Sequence, residues 1–302
     1  MIGRDAAGSR MSRGLALALL LAIPAFAQNS LDSRIKEMTA HFSGKVSIYA
    51  KNLKTGAIYD SGGSNRVITA STIKIPIIIG VYAAVEDGRA HWTDTSELSK
   101  TNKVGGSGVL QEWSDGVKVS LKDLTRMMIL LSDNTATNLV LDHVPGNSVN
   151  ATLDKLGIKE TRSLRKILSG ATPEGQSDAG RDPANARYGI GVATPKEMVN
   201  LLERLNQGEI VSKQASAEIL DLMKKQMLRD GMARRFADAD VADKPGALDH
   251  LRSDVGIVYA KSGAVAIAIT CEEIPVIDWS PDNPGYLFIA EASKILVDEL
   301  SK

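Results

Sequence analysis

The chain has 302 residues, of which 43% are hydrophobic and 24% are charged, a composition typical of a globular protein rather than a disordered one. Basic and acidic residues are equal at 36 each, so the overall charge favours neither nucleic acid nor an anionic membrane as a partner. Cys271 is the only cysteine, which excludes an intrachain disulfide, and the 4 histidines lack the spacing of a metal site.

A secretory signal peptide is predicted at residues 1–27. Three arginines precede an apolar run from Leu15 to Ile23, and Ala25-Phe26-Ala27 follows as a cleavage site. The run is shorter than the roughly 18 residues that a membrane span needs, and no later stretch is apolar enough. We therefore expect a periplasmic or secreted protein without a membrane span after cleavage, with residues 28–302 as its mature domain.

The first predicted elements of the mature chain are a helix and a hairpin. Apolar residues at helical spacing predict a helix from Leu31 to Phe42. Residues 46–50 and 57–60 have strand character, and the turn between them contains Lys54-Thr55-Gly56. A strand pair is therefore expected near the start of the domain.

Helical patterns dominate from about residue 72 to residue 226. Thr194-Pro195 is typical of a helix start, with a capping threonine and proline in the first turn. The stretch from Leu168 to Ala193 is predicted to be irregular, and its length is typical of a lid or binding loop. The predicted helices are 72–86, 119–131, 134–143, 148–156, 195–206 and 213–226.

Strand character returns only near the end of the chain. Residues 255–260 and 264–271 are predicted strands with a turn at Lys261-Ser262-Gly263, and an amphipathic helix covers about 284–300. This order predicts an α/β (α+β) fold in which a helical region is inserted between the two halves of one antiparallel sheet.

The sequence Ser71-Thr-Ile-Lys74 is a candidate nucleophile site. At the start of a helix, Ser71 and Lys74 lie one turn apart on one face, so the amine can reach the hydroxyl. The motif alone is weak, because roughly one S-x-x-K is expected by chance in a chain of this length. Only this one of the three present stands between a strand pair and an apolar helix.

Ser132-Asp133-Asn134 is a rarer motif, expected by chance in only about one such chain in twenty. It connects two predicted helices, where Ser132 and Asn134 can project into one cleft while Asp133 caps the second helix. Helix capping alone is the simpler interpretation, and both interpretations are compatible.

The two motifs in this order resemble those of class A β-lactamases and penicillin-binding proteins, whose signature is S-x-x-K, S-D-N and K-T-G. The resemblance extends over about residues 30–300. Four further segments are similar to class A landmarks: Gly106-Ser-Gly-Val-Leu-Gln111, Leu124 to Met128, Asn134-Thr-Ala-Thr-Asn138 and Ala193-Thr-Pro-Lys-Glu-Met198. The resemblance implies a five-stranded antiparallel sheet flanked by helices, an all-helical region beside it, and no cofactor.

Three lysine motifs compete for the third position of the signature. Lys54-Thr55-Gly56 and Lys261-Ser262-Gly263 match it by residue type, but both are predicted turns. Lys244-Pro245-Gly246 matches by position, because it precedes the last two strands. We select Lys244 on this ground, and the resemblance implies that it helps to hold Ser132 and the substrate carboxylate.

The resemblance also assigns roles to the surrounding residues. Lys74 would be the base for acylation, and Ser132 would pass the proton to the leaving nitrogen. Asn134 would bind the acyl side-chain amide. Gly246 would allow close backbone approach, and the N–H groups of Ser71 and Ala247 would form the oxyanion hole.

The sequence departs from the family at two places. Pro245 stands where the family has a hydroxyl residue that binds the substrate carboxylate, so Arg252 or Ser253 on the next strand is suggested as a substitute. Ile167 stands where class A enzymes carry the glutamate that activates water for deacylation. Glu174, Asp178 or Asp182 could supply a carboxylate, although solvated loop charges are the simpler interpretation.

The predicted function is hydrolysis of a β-lactam amide through an acyl-enzyme on Ser71, with acylation better supported than turnover. One alternative is a D,D-peptidase or esterase acting on D-Ala-D-Ala-like substrates with the same residues. Another is a penicillin-binding protein that is acylated but deacylates slowly. In each case we expect a monomer with a small-molecule or peptide substrate.

Overall fold

The computed structural model describes residues 25–168 and 172–302. Residues 1–24, which hold most of the predicted signal peptide, lie outside this range. No helix within the described residues is both long and apolar enough to cross a membrane.

Ten strands and nine α-helices are described, and their bounds are as follows. The strands are β1 (Lys45–Asn52), β2 (Ile58–Ser61), β3 (Val67–Ile68), β4 (Thr95–Glu97), β5 (Lys118–Ser120), β6 (Arg162–Ser163), β7 (Gly191–Ala193), β8 (Asp240–Leu248), β9 (Leu251–Ala260) and β10 (Gly263–Glu272). The helices are α1 (Ala25–His41), α2 (Lys74–Glu86), α3 (Leu121–Leu130), α4 (Asn134–His143), α5 (Gly146–Lys155), α6 (Asp178–Arg181), α7 (Pro195–Gln207), α8 (Lys213–Met223) and α9 (Pro284–Leu300).

The main sheet has five antiparallel strands, as expected. Their order in the sheet is β2-β1-β10-β9-β8. β1 pairs with β10 along its whole length, from Lys45 opposite Glu272 to Asn52 opposite Val265. This pairing joins the first and last strands of the fold and confirms that the two ends of the domain complete one sheet. β8 lies at the edge, so it is free to border a cleft on its outer side.

The two faces of the sheet support two apolar cores. One face packs against α1 and α9 through residues such as Val258 and Ile267. The other packs against the helical region, where α2 is buried nearly all round. A helix that is apolar on all sides is a central element, which explains the run of isoleucines after Lys74.

The predicted helices are confirmed with small changes at their ends. Thr194 caps α7 by accepting a hydrogen bond from the Glu197 amide at 3.2 Å. The first turn of the predicted 72–86 helix is instead a 3-10 turn, Ala70–Ile73, that leads into α2. The capping and apolar spacing therefore located the helical region well.

The structure corrects one prediction and contains one strand that the sequence pattern did not predict. The stretch from Leu168 to Ala193 contains α6, β7 and two 3-10 turns, so it is less irregular than expected, and residues 169–171 lie outside the described part. β8 lacks an apolar pattern because charged residues, a proline and a glycine occupy its centre. Proline is tolerated there because β8 is an edge strand.

Candidate active site

Ser71 lies in the 3-10 turn that leads directly into α2. Ala70, just before it, has a φ of 44°, a left-handed conformation that costs a non-glycine residue about 1–3 kcal/mol. The edge strand β8 passes close by at Gly246. A Cβ atom there would lie 2.8 Å from the Thr69 carbonyl oxygen and 3.0 Å from the Ser71 amide nitrogen. Glycine is therefore required for β8 to approach the Ser71 backbone.

Lys74 is completely buried, and its amine is held by the Ser132-Asp133-Asn134 segment. Its Nζ donates to the Ser132 carbonyl oxygen at 2.8 Å, to Ser132 Oγ at 3.0 Å and to Asn134 Oδ1 at 3.3 Å. Burial, followed by the nearby charge of Lys244, lowers the pKa of Lys74 well below its usual value. A neutral amine at this position can accept a proton.

No hydrogen bond within the described residues joins Ser71 Oγ to Lys74 Nζ, whose hydrogen bonds all go to Ser132 and Asn134. Proton transfer from Ser71 to Lys74 therefore requires the serine hydroxyl to turn towards the amine. Such contacts commonly tighten only when substrate is bound.

Asp133 is structural, while its two neighbours bond to Lys74. Its Oδ1 caps α4 by accepting from the Ala136 amide at 2.8 Å. Its Oδ2 accepts from the amides of Val109 and Leu110 at 2.7 and 2.9 Å, which fixes the preceding loop against α4. Ser132 adopts a left-handed φ of 55° and is buried, so this connection is strained as well as anchored. Both interpretations of the motif, capping and cleft, are consistent with these contacts.

Lys244 lies on β8 and is also completely buried. Its Nζ donates to the Pro245 carbonyl oxygen at 2.8 Å. Burial lowers the pKa of Lys244 to about 8, while the carboxylates of Asp243 and Asp254 oppose this shift. Lys54 and Lys261 lie in or beside turns of the main sheet, so Lys244 is the lysine of the three that the structure places near Lys74.

A cleft of about 800 Å³ opens beside Ser71. Asn134 and Ala247 line it, and the segment from Arg165 to Leu168 forms part of its wall. The β8 edge at Ala247 and the Ser71 backbone border the same space, which suits a pair of N–H donors for an oxyanion. Of the predicted residues, Ser71, Asn134 and Ala247 line the cleft. Lys74 and Ser132 are joined to it by hydrogen bonds through Asn134, and Gly246 lies against the Ser71 backbone. Lys244, next to Pro245 on β8, does not line the cleft.

The model of the β-lactamase enzyme family matches residues 30–300. The chain belongs to this family. Among curated relatives, β-lactamase CARB-3 of Pseudomonas aeruginosa is 26% identical over 84% of this chain and 86% of its own length. The β-lactamase of Rhodobacter capsulatus is 24% identical, with 86% and 87% covered. As a member of the family, the protein is a hydrolase of the serine β-lactamase type.

Solved structures agree with this assignment. The β-lactamase of Sphaerobacter thermophilus DSM 20745 is 27% identical, has a TM-score of 0.76, and covers 89% of this chain and 96% of its own. PBP-A has the same fold, with a TM-score of 0.74 at 23% identity over 89% of this chain and 95% of its own. The expected fold and family are therefore confirmed.

Ile167 occupies the place expected for the deacylating glutamate of class A β-lactamases. Asn138 holds its backbone through two hydrogen bonds, accepting from the Ile167 amide at 2.8 Å and donating to its carbonyl oxygen at 3.0 Å. The Ile167 side chain lines the cleft. The backbone position is thus fixed, but the group it presents is apolar.

None of the proposed substitute carboxylates lines the cleft. Glu174 borders a separate cavity, Asp178 pairs with Arg181, and Asp182 caps a 3-10 turn. Within the described residues, the lining of the cleft contains no aspartate or glutamate. An activated water for deacylation therefore lacks a carboxylate base there.

Arg252 and Ser253 are not placed in the cleft. The Arg252 guanidinium donates to the carbonyl oxygens of Leu248 and Leu251 at 2.5 and 2.6 Å, and it stacks on Trp279 with its carbon 4.9 Å from the ring centroid. Ser253 is buried and bonds to Thr270 on β10 at 2.8 Å. Neither residue lines the cleft, so the suggestion that either anchors a substrate carboxylate is corrected. Arg252 Nε is buried and has no hydrogen-bond partner among the described residues.

A buried carboxyl pair, missed in the sequence analysis, lies behind Lys244. Asp243 and Asp254 belong to the neighbouring strands β8 and β9 and are almost completely buried. Asp254 Oδ2 accepts from the Met232 amide at 2.8 Å, whereas both Asp243 oxygens lack a hydrogen bond from the described residues. Only the fold reveals the pair, because its members are 11 positions apart.

Burial raises the pKa values of both carboxyl groups. Burial, followed by the charge of Asp254, raises the pKa of Asp243 well above its usual value. Burial raises the pKa of Asp254 to about 6. The pair therefore keeps a proton to higher pH than exposed aspartates do, and it carries negative charge once Asp254 has titrated. That charge stabilises the ammonium of Lys244.

Asp254→Asn should make folding less dependent on pH. The pKa of Asp254 is higher in the folded protein than in the unfolded protein, where it is near 4. Protonation of Asp254 therefore stabilises the folded state below about pH 4, and this stabilisation is lost as pH rises through about 6. The loss amounts to at most about 3 kcal/mol. The melting temperature of the native protein should therefore fall relative to that of Asp254→Asn between pH 4 and 7.

The amide of the variant keeps an acceptor for the Met232 N–H and can donate to Asp243, so it should fold normally. Circular dichroism melts at several pH values measure the difference. A melting-temperature gap that stays constant from pH 4 to 7 would contradict the assigned pKa shift.

Proposed function

We propose that the protein opens the amide of β-lactams by acylation of Ser71 and releases the product slowly. The observation that carries this proposal is the buried amine of Lys74, bonded to Ser132 and Asn134 beside the cleft that Ser71 lines. A small molecule with a reactive amide suits a cleft of this size.

Acylation begins with proton transfer from the Ser71 hydroxyl to neutral Lys74. The serine oxygen attacks the lactam carbonyl carbon, and the negative charge that develops on the carbonyl oxygen is bound by the N–H groups of Ser71 and Ala247. Gly246 makes this possible because it allows β8 to lie against the Ser71 backbone. The hydrogen-bond donors are held in place before the reaction starts.

The intermediate collapses with cleavage of the carbon–nitrogen bond. Ser132 donates its proton to the leaving nitrogen and recovers one from Lys74, to which it is hydrogen-bonded at 3.0 Å. The Ser132 proton thus ends on the nitrogen of the product, the proton from Ser71 reaches Ser132 through Lys74, and Lys74 is neutral again. Lys244 remains cationic and attracts the substrate carboxylate.

Deacylation needs a base that activates water, and the cleft offers Ile167 where such a base is expected. The acyl-enzyme therefore lasts longer than in an enzyme with a carboxylate there. This favours the penicillin-binding alternative in kinetic terms, while the acylation chemistry stays that of the family.

We also propose a domain organisation, an oligomeric state and a location for the protein. Residues 28–302 form one hydrolase domain that acts as a monomer on small molecules. The signal pattern in residues 1–27 supports export to the periplasm or out of the cell. Resistance to β-lactam antibiotics would depend on how fast the acyl-enzyme is released.

Mass spectrometry of the protein mixed with benzylpenicillin tests the proposal. We expect a covalent adduct on the peptide that contains Ser71, still present after the free drug is removed, because deacylation lacks its base. Ser71→Ala should reduce acylation by about a thousandfold or more. An unmodified Ser71 combined with intact drug would refute the proposed function.

Ile167→Glu should accelerate deacylation by about a hundredfold, the usual contribution of a general base. Asn138 bonds only to the backbone of residue 167, so the new carboxylate should take the position of the isoleucine side chain. Single-turnover release of the penicilloyl group measures the rate. Ile167→Gln is the matched control, since it adds polarity without a base and should release no faster than the native protein.

The acylation rate should fall as pH rises through about 8, because Lys244 loses its charge there. Lys244→Arg keeps a cation at higher pH, so its decline should move at least one unit upward. Stopped-flow acylation with a fluorescent penicillin gives both profiles. If the variant shows the same alkaline decline as the native protein, a group other than Lys244 controls it.

A further inference from the structure

A second cavity opens beside the cleft, and we call it the side groove. Its volume is about 950 Å³, and it lies between the start of β1, the end of β10 and the turn between β8 and β9. The side groove and the cleft share four lining residues, Ile68, Tyr188, Leu248 and Trp279. The two cavities are therefore adjacent, and a long substituent on a molecule attached to Ser71 is directed at the side groove if it passes Leu248 and Tyr188.

The side groove receives the acyl part of a substrate rather than its leaving group. The leaving nitrogen must face Ser132, which returns its proton. The lining of the cleft includes Leu248 and Tyr188, which also line the side groove, and it does not include Ser132. Whatever remains bonded to Ser71 after the leaving nitrogen has gone is thus directed towards the side groove.

Glu272 is a half-buried carboxylate in the wall of the side groove. It accepts a hydrogen bond from the Ile68 amide at 3.2 Å, but it forms no ion pair with a described cation. Burial raises its pKa, and Arg187 is the largest charge that opposes this shift. The neighbouring Glu273, by contrast, pairs with Lys45 at 2.6 Å and is exposed. Glu272 therefore offers an unpaired acceptor for a cation.

Arg187 provides the opposite charge in the same groove. Its guanidinium lies 4.5 Å from the Tyr188 ring centroid and donates to the Tyr188 hydroxyl at 3.0 Å. Arg66 stacks on the same ring but is paired with Glu160 at 3.4 Å. Within the described residues Arg187 has no ion pair, so its charge is available to a ligand.

Other charged groups of the groove are less suited to hold a ligand. Asp249 and His250 are exposed in the turn between β8 and β9, and His250 Nδ1 is bonded to the Ile274 carbonyl oxygen at 2.7 Å. Arg187 and Glu272 influence each other electrostatically without forming an ion pair, so a separation remains between them. A ligand with both charges fits such a pair.

We propose that the side groove binds an acyl side chain that ends in an α-amino acid, with its ammonium on Glu272 and its carboxylate on Arg187. This proposal rests on the proposed acylation of Ser71. It assigns the substrate class by its acyl part: a chain long enough to leave the cleft, with a zwitterionic end.

Calorimetric binding to the Ser71→Ala protein tests this without acylation. The probes are cephalosporin C, whose acyl side chain ends in an α-amino acid, and its N-acetyl derivative, which lacks the ammonium charge. We expect cephalosporin C to bind about tenfold more tightly, as for one charge-assisted hydrogen bond at a half-buried site. Equal binding of the two probes would overturn the proposal.

Three further variants, each combined with Ser71→Ala, locate the effect. Glu272→Gln keeps an acceptor for the Ile68 amide but loses the charge, so the ratio between the two probes should fall to about one. Glu273→Gln is the matched control and should keep the tenfold ratio. Arg187→Gln should weaken both probes by a similar factor, because each retains the carboxylate. A tenfold ratio that survives Glu272→Gln would also refute the assignment.

The outcome is separate from that of the proposed function. If native protein is not acylated by benzylpenicillin, the acylation proposal fails, while the binding ratios still decide whether the groove recognises the amino acid. If acylation occurs and the ratios are equal to one, only the groove assignment fails.

Discussion

The burial of two lysine side chains beside one serine is the constraint on which the rest of the site depends. Lys74 and Lys244 are both excluded from water, and each charge disfavours the other. The surroundings separate their roles. Lys74 faces hydroxyl, carbonyl and amide oxygens, and its pKa lies well below the usual value. Asp243 and Asp254 lie near Lys244 and oppose the lowering of its pKa, which is about 8. In the proposed mechanism one type of side chain thus serves as base and as cation.

The fold holds this arrangement through strained and close-packed backbone. Ala70, which precedes Ser71, and Ser132, which bonds to the Lys74 amine, both have left-handed backbone conformations. Asp133 offsets part of this strain because three backbone amides donate to its carboxylate. Gly246 completes the arrangement by allowing an edge strand to touch the nucleophile turn. Strain of this kind persists only where the surrounding structure fixes it, and here it surrounds the reacting groups.

The sequence predicted elements best where local patterns decide the structure. Helix α4 matches the predicted 134–143 because a capping aspartate precedes an amphipathic segment. β8 has no such pattern, and only the family resemblance selected Lys244 within it. The error at Arg252 has a similar origin, since alternation along a strand does not tell which face meets the cleft. The Asp243–Asp254 pair depends on strand register, and the side groove depends on how β1, β3 and β10 meet, neither of which a single sequence reveals.

In the proposed mechanism, Ile167 separates acylation from release. Asn138 fixes the backbone at position 167 through amide and carbonyl contacts alone, so the wall of the cleft keeps its shape whatever side chain it carries. In the proposed mechanism the residues that form the acyl-enzyme lie in the 3-10 turn before α2, on α2 itself, in the α3–α4 connection and on β8. An apolar side chain at position 167 would therefore leave the first half of the reaction intact. A long-lived acyl-enzyme also gives a side chain time to occupy a neighbouring groove, which makes recognition of the acyl part matter more than in an enzyme that releases it at once.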